Sequence, residues 1–182
     1  MSYLRGFVPW IAFAVLSGLG WQWGALAGLV LAVALFADGR RKGTPLDTQV
    51  LEISTMAYFG VLTVFALLVP ASPVQHFVGA ISMAWLALTA WGGLVVRQPF
   101  TLGIARQQTP KEFWDHPLFR RINVVITTAW ALAFTLTAIV LTGLDLVEAG
   151  TVATIVVQVA GFAIPAVFTV RYPEHVRSRQ DS

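Results

Sequence analysis

The chain has 182 residues, of which 57% are hydrophobic and 12% are charged, and its mean hydropathy is +0.72. Soluble domains carry about 25% charged residues, so this composition excludes a water-soluble domain and predicts a single membrane domain, residues 1–182. The absence of cysteine excludes disulfides, thiolate catalysis and every Cys-ligated zinc, haem or iron–sulfur site. The excess of basic residues is interpreted as charged cytoplasmic loops and not as a nucleic-acid surface.

The first apolar run, residues 4–37, is too long for one ordinary span and short for two. It is interrupted at residues 17–24 by three glycines, a glutamine and two tryptophans, a composition that favours a turn at a membrane interface. We therefore predict two short helices, residues 5–18 and 22–37, and no cleavable signal peptide.

Four longer spans follow the basic loop that begins at Asp38. Thr44-Pro45-Leu46-Asp47 is typical of a helix start, with a hydroxyl N-cap, proline at the first position and an acid at the third. Thr109-Pro110 followed by Glu112 repeats this pattern. The predicted spans are 45–69, 74–96, 117–143 and 148–171, with an interfacial loop at 97–116 and a flexible tail at 172–182.

The placement of charge supports six spans. With six, one face receives all twelve Lys and Arg residues, and the other receives only Asp145, Glu148 and His76. Positive charge collects on the cytoplasmic side, so both termini are predicted to be cytoplasmic. A five-span arrangement with one long first helix would place Arg5 outside. We therefore predict an all-α, polytopic membrane bundle of six transmembrane helices arranged as three hairpins.

The polar interval between the fourth and fifth spans is basic and aromatic. Such a segment is expected to lie in the headgroup plane, against anionic lipid, or to form a lid or docking surface for a partner. His116 beside Asp115 is interpreted as a cap residue, with a proton-handling pair as the alternative. The residues predicted for membrane-interface or partner docking are Phe100, Arg106, Phe113, Trp114, Arg120 and Arg121.

Polar residues inside the spans are the other candidates for function. On each of the fifth and sixth spans, small and hydroxyl-bearing residues recur at helical spacing, which favours close helix packing. The functional alternative is a polar seam lining a ligand path, with Gln158 and a helix break at Pro165 at its centre. Glu52, near the start of the third span, is either a salt-bridged interfacial acid or part of a site. The predicted ligand-binding residues are Gln158, Thr154, Thr135, Thr128, Pro165 and Glu52.

Catalytic and cofactor chemistry finds no support in the residue pattern. There is no phosphate-binding glycine loop, no serine nucleophile motif and no lysine in the middle of a span. Asp38-Gly39 is similar to the opening of the CDP-alcohol phosphotransferase motif, but the aspartates that must follow are missing. We predict no enzyme activity, no metal site and no cofactor.

Three short motifs carry a resemblance to a known family: Gly39-Arg40-Arg41-Lys42, Thr109-Pro110-Lys111-Glu112-Phe113-Trp114 and Trp130-Ala131-Leu132-Ala133-Phe134. With these motifs the chain resembles, over residues 7 to 140, the bacterial intracellular septation protein A family. Asn123 stands in the place of the polar residue that precedes the helix of the third motif in that family. The chain lacks a leucine of the second motif and inserts residues 115–118. In length and final helix it is closer to six-helix membrane relatives of that family. The resemblance implies an inner-membrane protein linked to cell envelope synthesis and division, and it carries no site residues.

Together these observations predict a non-enzymatic scaffold or assembly factor for envelope or membrane complexes, located in the bacterial cytoplasmic (inner) membrane. Two alternatives stay open: a small-molecule or lipid carrier that uses the fifth and sixth helices, and an accessory subunit of a larger complex. The expected partners are the lipid bilayer, with anionic lipid at the cytoplasmic face, and a membrane protein or a second copy of the chain. No nucleic-acid partner is expected.

Overall fold

The computed structural model describes residues 5–107 and 109–178, and these residues form an all-α protein. Five helices of this part are long and apolar enough to cross a membrane, which is the make-up of a multi-pass membrane protein. Within the described ranges the helices are numbered α1 (Val8–Leu16), α2 (Trp21–Arg41), α3 (Val50–Leu68), α4 (Val78–Val95), α5 (Phe100–Arg106), α6 (Pro117–Leu146) and α7 (Thr151–Ser178).

The chain divides into two compact units, which follow each other in sequence at Gln75 and His76. The first unit contains α1 to α3, and the second contains α4 to α7. The first apolar helix, Val8–Leu19 with its terminal 3-10 turn, is shorter than the five candidate spans. The arrangement of six spans as three hairpins in one domain therefore remains a prediction.

The first unit has a charged end and an apolar end. At the charged end, Asp38 of α2 forms ion pairs with Arg5 and with Lys42, whose Nζ lies 2.8 Å from the carboxylate. At the other end, the Trp21 indole N–H donates to the Pro70 carbonyl at 2.8 Å. The turn between α1 and α2 also lies at this second end. The segment before the turn therefore runs alongside α2, and Arg5 reaches Asp38 near the basic loop.

Aromatic rings and a glycine let the helices of the first unit pack closely. Trp10 of α1 donates to Thr55 Oγ1 of α3 at 3.2 Å, and its ring stacks on Tyr58 with 4.9 Å between centroids. Gly28 of α2 faces Phe59 of α3, where an added Cβ would lie 2.6 Å from the ring. The missing side chain at Gly28 therefore sets the approach of α2 to α3, as small residues do between membrane helices.

The start of α3 differs from the predicted capped start at Thr44. Pro45 is extended, with ψ 147°, and the chain then makes a 3-10 turn at Leu46–Thr48 before α3 begins at Val50. The Thr48 hydroxyl closes this turn by donating to the Pro45 carbonyl at 2.8 Å. The prediction of a helix from residue 45 is therefore wrong, because a local side-chain bond holds the chain in a turn of its own.

In the second unit, α6 packs against α4, α5 and α7. Its central residue is Trp130, which is 2% exposed. The ring centroids of Phe100, Phe134 and Phe162 lie between 5.2 and 6.4 Å from that of Trp130. The Trp130 indole N–H donates to the Thr169 hydroxyl of α7 at 2.9 Å, so the largest side chain of this core also has its polar atom satisfied.

The interval between α4 and α6 is more ordered than a loop. It contains α5, in which six of seven residues are buried. The prediction of an interfacial loop over 97–116 is therefore wrong for residues 100–106. An apolar helix of this length can bury itself on a neighbour without crossing a membrane. Residue 108 of this interval lies outside the described residues.

The last helix also differs from its predicted span of 148–171. It begins at Thr151 and continues through Pro165 and Pro173 to Ser178. The predicted break at Pro165 and the predicted tail over 172–178 are therefore wrong, while 179–182 lie outside the described residues. A proline removes one helical hydrogen bond. The packing of Gly161 and Thr169 on α6, described below, holds α7 on either side of that loss.

Candidate functional site: an interfacial cap on the second unit

A buried network of hydroxyl and amide groups holds α5 on α6. Thr101 is fully buried, and its hydroxyl lies 2.7 Å from the Thr127 hydroxyl and donates to the Asn123 carbonyl at 3.0 Å. The Asn123 side chain is 3% exposed and donates to the Phe119 carbonyl at 2.9 Å. Inside a protein such bonds are strong and costly to leave unmade, so they fix the position of α5.

The segment after α5 is stabilised by contacts among its own residues. Arg106 lies over the Trp114 ring, with its Cζ 5.2 Å from the centroid, a cation–π contact. The Trp114 indole N–H donates to the Thr109 carbonyl at 2.9 Å, across the 3-10 turn Lys111–Phe113. No side chain caps this turn, so the predicted cap by the Thr109 hydroxyl is wrong. Phe113 is left 53% exposed, as the aromatic side chain that this segment presents outward.

The start of α6 uses His116 and Arg120. His116 is the N-cap, and its Nδ1 accepts a hydrogen bond from the Leu118 N–H at 3.3 Å. The interpretation of His116 as a cap residue is therefore confirmed. Arg120 donates from Nη2 to the Arg97 carbonyl at 3.1 Å, which ties the first turns of α6 to the end of α4.

The contact between α4 and α6 shows where α4 ends along its neighbour. Trp91 of α4 donates from its indole N–H to the Thr135 hydroxyl of α6 at 3.1 Å. The two helices are antiparallel, since Gly79 near the start of α4 faces Leu141 near the end of α6. Arg97, two residues beyond the end of α4, meets the first turns of α6 through the bond from Arg120 to its carbonyl.

The contact between α6 and α7 shows where the basic residue Arg171 lies along α6. Trp130 meets Thr169, so Arg171 of α7 comes level with residue 128 of α6. At a rise of about 1.5 Å per residue, α6 extends about 17 Å beyond this level towards Pro117 and about 27 Å towards Leu146. The second distance is close to the hydrocarbon thickness of about 30 Å. We call the part beyond residue 128 the interfacial cap: α5, residues 109–116 and residues 117–127 of α6.

Five of the six predicted ligand-binding residues, all except Glu52, lie on α6 and α7, where a ligand path was expected. Pro165 is buried, and Thr154 and Gln158 are half-buried. Gly161 and Thr137 bring the two helices into close contact, since a Cβ on Gly161 would lie 2.9 Å from Thr137 Cγ2 and nearer still to its hydroxyl. At this height the two helices are in direct contact.

The other two of these threonines, on α6, direct their hydroxyls to their own helix. Thr128 donates to the Val124 carbonyl at 2.9 Å, and Thr135 donates to the Ala131 carbonyl at 2.7 Å. Thr135 also accepts from Trp91, so it lies on the α4 side of α6. The structure therefore does not bring Thr135 to the α7 side, where the sequence had grouped it with Gln158.

Glu52 belongs to the first unit, and the other predicted ligand-binding residues belong to the second. It is half-buried on the first turn of α3, and its Oε2 is enclosed with no hydrogen-bond partner among the described residues. Gln49, three residues earlier, is also buried, and its Nε2 lies 3.4 Å from the Phe36 carbonyl. Gly39 makes room for that amide, because a Cβ there would overlap Nε2.

Sequence reasoning missed the groups that hold the cap together, Thr101, Asn123 and Thr127. A signal was present, because Asn123 and Thr127 are four residues apart and share a face of α6. Thr101 gave no such signal, since its partners come from a different element.

The chemistry available at the cap is recognition of aromatic, apolar and anionic groups. Its exposed side chains include Phe113 and the charged residues Lys111, Arg120 and Arg121, and within residues 5–107 and 109–178 no three His, Cys, Asp or Glu side chains are grouped to hold a metal. No protein-family model, curated protein or solved structure matches this chain.

Proposed function

We propose that the chain is a non-enzymatic membrane scaffold or assembly factor that binds a protein partner through the interfacial cap. The observation that carries this proposal is that the cap is already ordered in the chain by itself. Its base, α5, is buried on α6, while Phe113 leaves 53% of its surface exposed. A surface that is already ordered loses less entropy on binding, and an exposed aromatic side chain is a favourable anchor.

The proposed setting is a bacterial inner membrane crossed six times, with both termini in the cytoplasm. Two structural observations support this threading. In the first unit, Arg5 and the basic loop lie at one end of α2. In the second unit, Arg97 follows the end of α4 and its carbonyl is bonded to Arg120 of the cap, while Arg171 of α7 comes level with residue 128 of α6, where the cap begins. Positive charge placed this way favours a cytoplasmic cap.

The packing between α6 and α7 favours a scaffold over a carrier. A ligand path there would need space beside Gln158, but Gly161 and Thr137 are in contact one turn further along α7. The resemblance to the septation protein A family implies a link to envelope synthesis and division, and this link is part of the proposal. We therefore expect the partner to be a protein of these processes.

The threading is tested by single cysteines, because the natural chain contains none. In intact cells, Leu19→Cys and Ala71→Cys are expected to react with a membrane-impermeant maleimide, and Lys42→Cys and Glu112→Cys are expected to react only after the membrane is opened. The first pair lies at the end of the first unit where Trp21 meets Pro70. A protected Leu19→Cys would support the five-span arrangement, in which residue 19 lies inside the bilayer.

The scaffold is tested by placing a photo-crosslinking residue at position 113 of the full-length, membrane-embedded chain. We expect a defined protein adduct, identified by mass spectrometry and formed in stoichiometric yield. Co-purification of that same protein should weaken at least tenfold on Phe113→Ala, since truncating an interface anchor costs about 2 kcal/mol or more.

Phe65→Ala is the matched control, because Phe65 is an exposed aromatic residue, 37% accessible, on an apolar helix of the first unit. It should leave the partner bound. Equal loss in both variants would contradict docking at the cap. A co-purifying lipid or metabolite that disappears on Gln158→Leu, with no protein adduct at position 113, would replace the scaffold with the carrier.

A further inference from the structure

The end of α4 has a backbone conformation that usually requires glycine. Arg97 has φ 58°, in the left-handed region, and its N–H bonds to the Leu94 carbonyl at 3.1 Å, while the Gln98 N–H bonds to the Gly93 carbonyl at 2.8 Å. These two bonds form the motif that commonly ends helices, in which glycine is the favoured residue at the position of Arg97. A side chain there costs about 1 kcal/mol or more, so the geometry of the turn gives no reason for an arginine.

A second arginine, Arg120, is bonded to the backbone of the first. Arg120 donates to the Arg97 carbonyl at 3.1 Å, which fixes the Arg120 guanidinium at the end of α4 and leaves its remaining N–H groups available. Both side chains are exposed, and neither forms an ion pair with a carboxylate of the described residues. Two exposed arginines that meet at one backbone carbonyl, and have no ion-paired carboxylate, attract an anion, and the fork of N–H donors suits the oxygens of a phosphate.

The apolar surface next to these cations identifies the source of the phosphate. Val95 is 80% exposed and Val96 is 65% exposed, so Arg97 follows directly on an apolar surface at the end of a candidate span. Trp91, 39% exposed, lies one helical turn before Val95 on the same side of α4. This is the arrangement of an acyl-chain surface that ends at a headgroup.

We propose that Arg97 and Arg120 bind the phosphate of an anionic phospholipid, whose acyl chain lies along Trp91 and Val95. The Arg97 side chain takes one side of the phosphate, and the N–H groups of Arg120 that are not bonded to the Arg97 carbonyl take the other. This site is separate from the protein-docking role of Phe113 and does not depend on it.

The test is native mass spectrometry of the full chain released from bilayers that contain equal amounts of phosphatidylglycerol and phosphatidylcholine with the same acyl chains. The wild type is expected to retain phosphatidylglycerol at least about fivefold over phosphatidylcholine, the preference that a single well-placed cation supplies. Arg97→Gly suits the turn and removes only the side chain, so it should fold and lose this preference. Arg120→Gln can still donate to the carbonyl and should lose the preference as well.

Arg41→Gln, an exposed basic residue of the first unit, is the control for general attraction to negative lipid and should keep the preference. The proposal is overturned if Arg97→Gly and Arg120→Gln retain phosphatidylglycerol as the wild type does. It is also overturned if Arg41→Gln loses the preference equally, or if inorganic phosphate displaces the lipid at the concentration of the lipid itself.

Discussion

A Trp130→Ala variant is expected to lose about 3–5 kcal/mol of unfolding free energy, the range for removing a buried tryptophan or phenylalanine side chain. Trp130 is 2% exposed and fills the space that Phe100, Phe134 and Phe162 surround. Its removal leaves a cavity where α5, α6 and α7 meet, and none of the surrounding rings can move into it without leaving its own contacts. The measurement is reversible unfolding of the purified protein in mild detergent, followed by far-ultraviolet circular dichroism.

Two further variants separate the contributions of Trp130. Trp130→Phe keeps a ring and removes the bond to Thr169, whose hydroxyl still donates to the Pro165 carbonyl at 2.7 Å, so a loss of about 1 kcal/mol is expected. Trp91→Ala truncates a tryptophan that is 39% exposed and should cost about 1 kcal/mol or less. Equal losses for Trp130→Ala and Trp91→Ala would contradict the assignment of Trp130 to the core.

Gly161→Ala is expected to destabilise the second unit by about 1–3 kcal/mol, the cost of forcing extra atoms into a packed contact. The new Cβ would lie 2.9 Å from Thr137 Cγ2 and nearer still to the Thr137 hydroxyl. Thr137 is buried and branched at Cβ, so it cannot rotate away easily. The helices α6 and α7 would have to separate, with loss of the contacts on either side. The same detergent unfolding measurement gives the change.

Thr137→Ala supplies the compensating change. It removes both atoms nearest to the new methyl group, so the double variant should recover part of the loss, with a coupling energy of about 0.5–3 kcal/mol. Gly143→Ala is the control on α6, because a Cβ at Gly143 meets nothing within 4 Å. It should be neutral or slightly stabilising, since alanine favours a helix more than glycine does. Additive losses in the double variant would show that the two residues do not meet.

The long spans could be predicted from the sequence because length and apolar composition decide them. α4 and α6 lie close to where the hydrophobic runs placed them, and Pro117 starts α6 as expected of a proline at a first helical position. The start of α3 could not be predicted from the sequence, since Thr44 offers the same capping chemistry as many true helix starts. Only the bond from the Thr48 hydroxyl to the Pro45 carbonyl decides for a turn. The extent of α7 depended on its packing against α6.

The candidate site was predicted by composition but not by arrangement. Arg106, Phe113 and Trp114 were expected at an interface, and the structure groups them on the cap. The sequence could not show that Trp114 packs within the cap while Phe113 stays exposed, because the bond from Trp114 to the Thr109 carbonyl depends on the local turn. α5 itself was missed, since seven residues are too few for helical periodicity to show.

The length of the first helix affects how the chain inserts into the membrane during synthesis. Val8–Leu19 would extend about 18 Å as a helix, well short of the roughly 30 Å of hydrocarbon that an inserted segment must cross. During synthesis such a segment is poorly retained by the bilayer on its own, so we expect α1 to wait at the insertion machinery until α2 has emerged and to enter with it as a pair. On the proposed threading Arg5 stays on the cytoplasmic side, and it meets Asp38 only when α2 is complete. We therefore expect their ion pair to form once the first hairpin has entered the membrane.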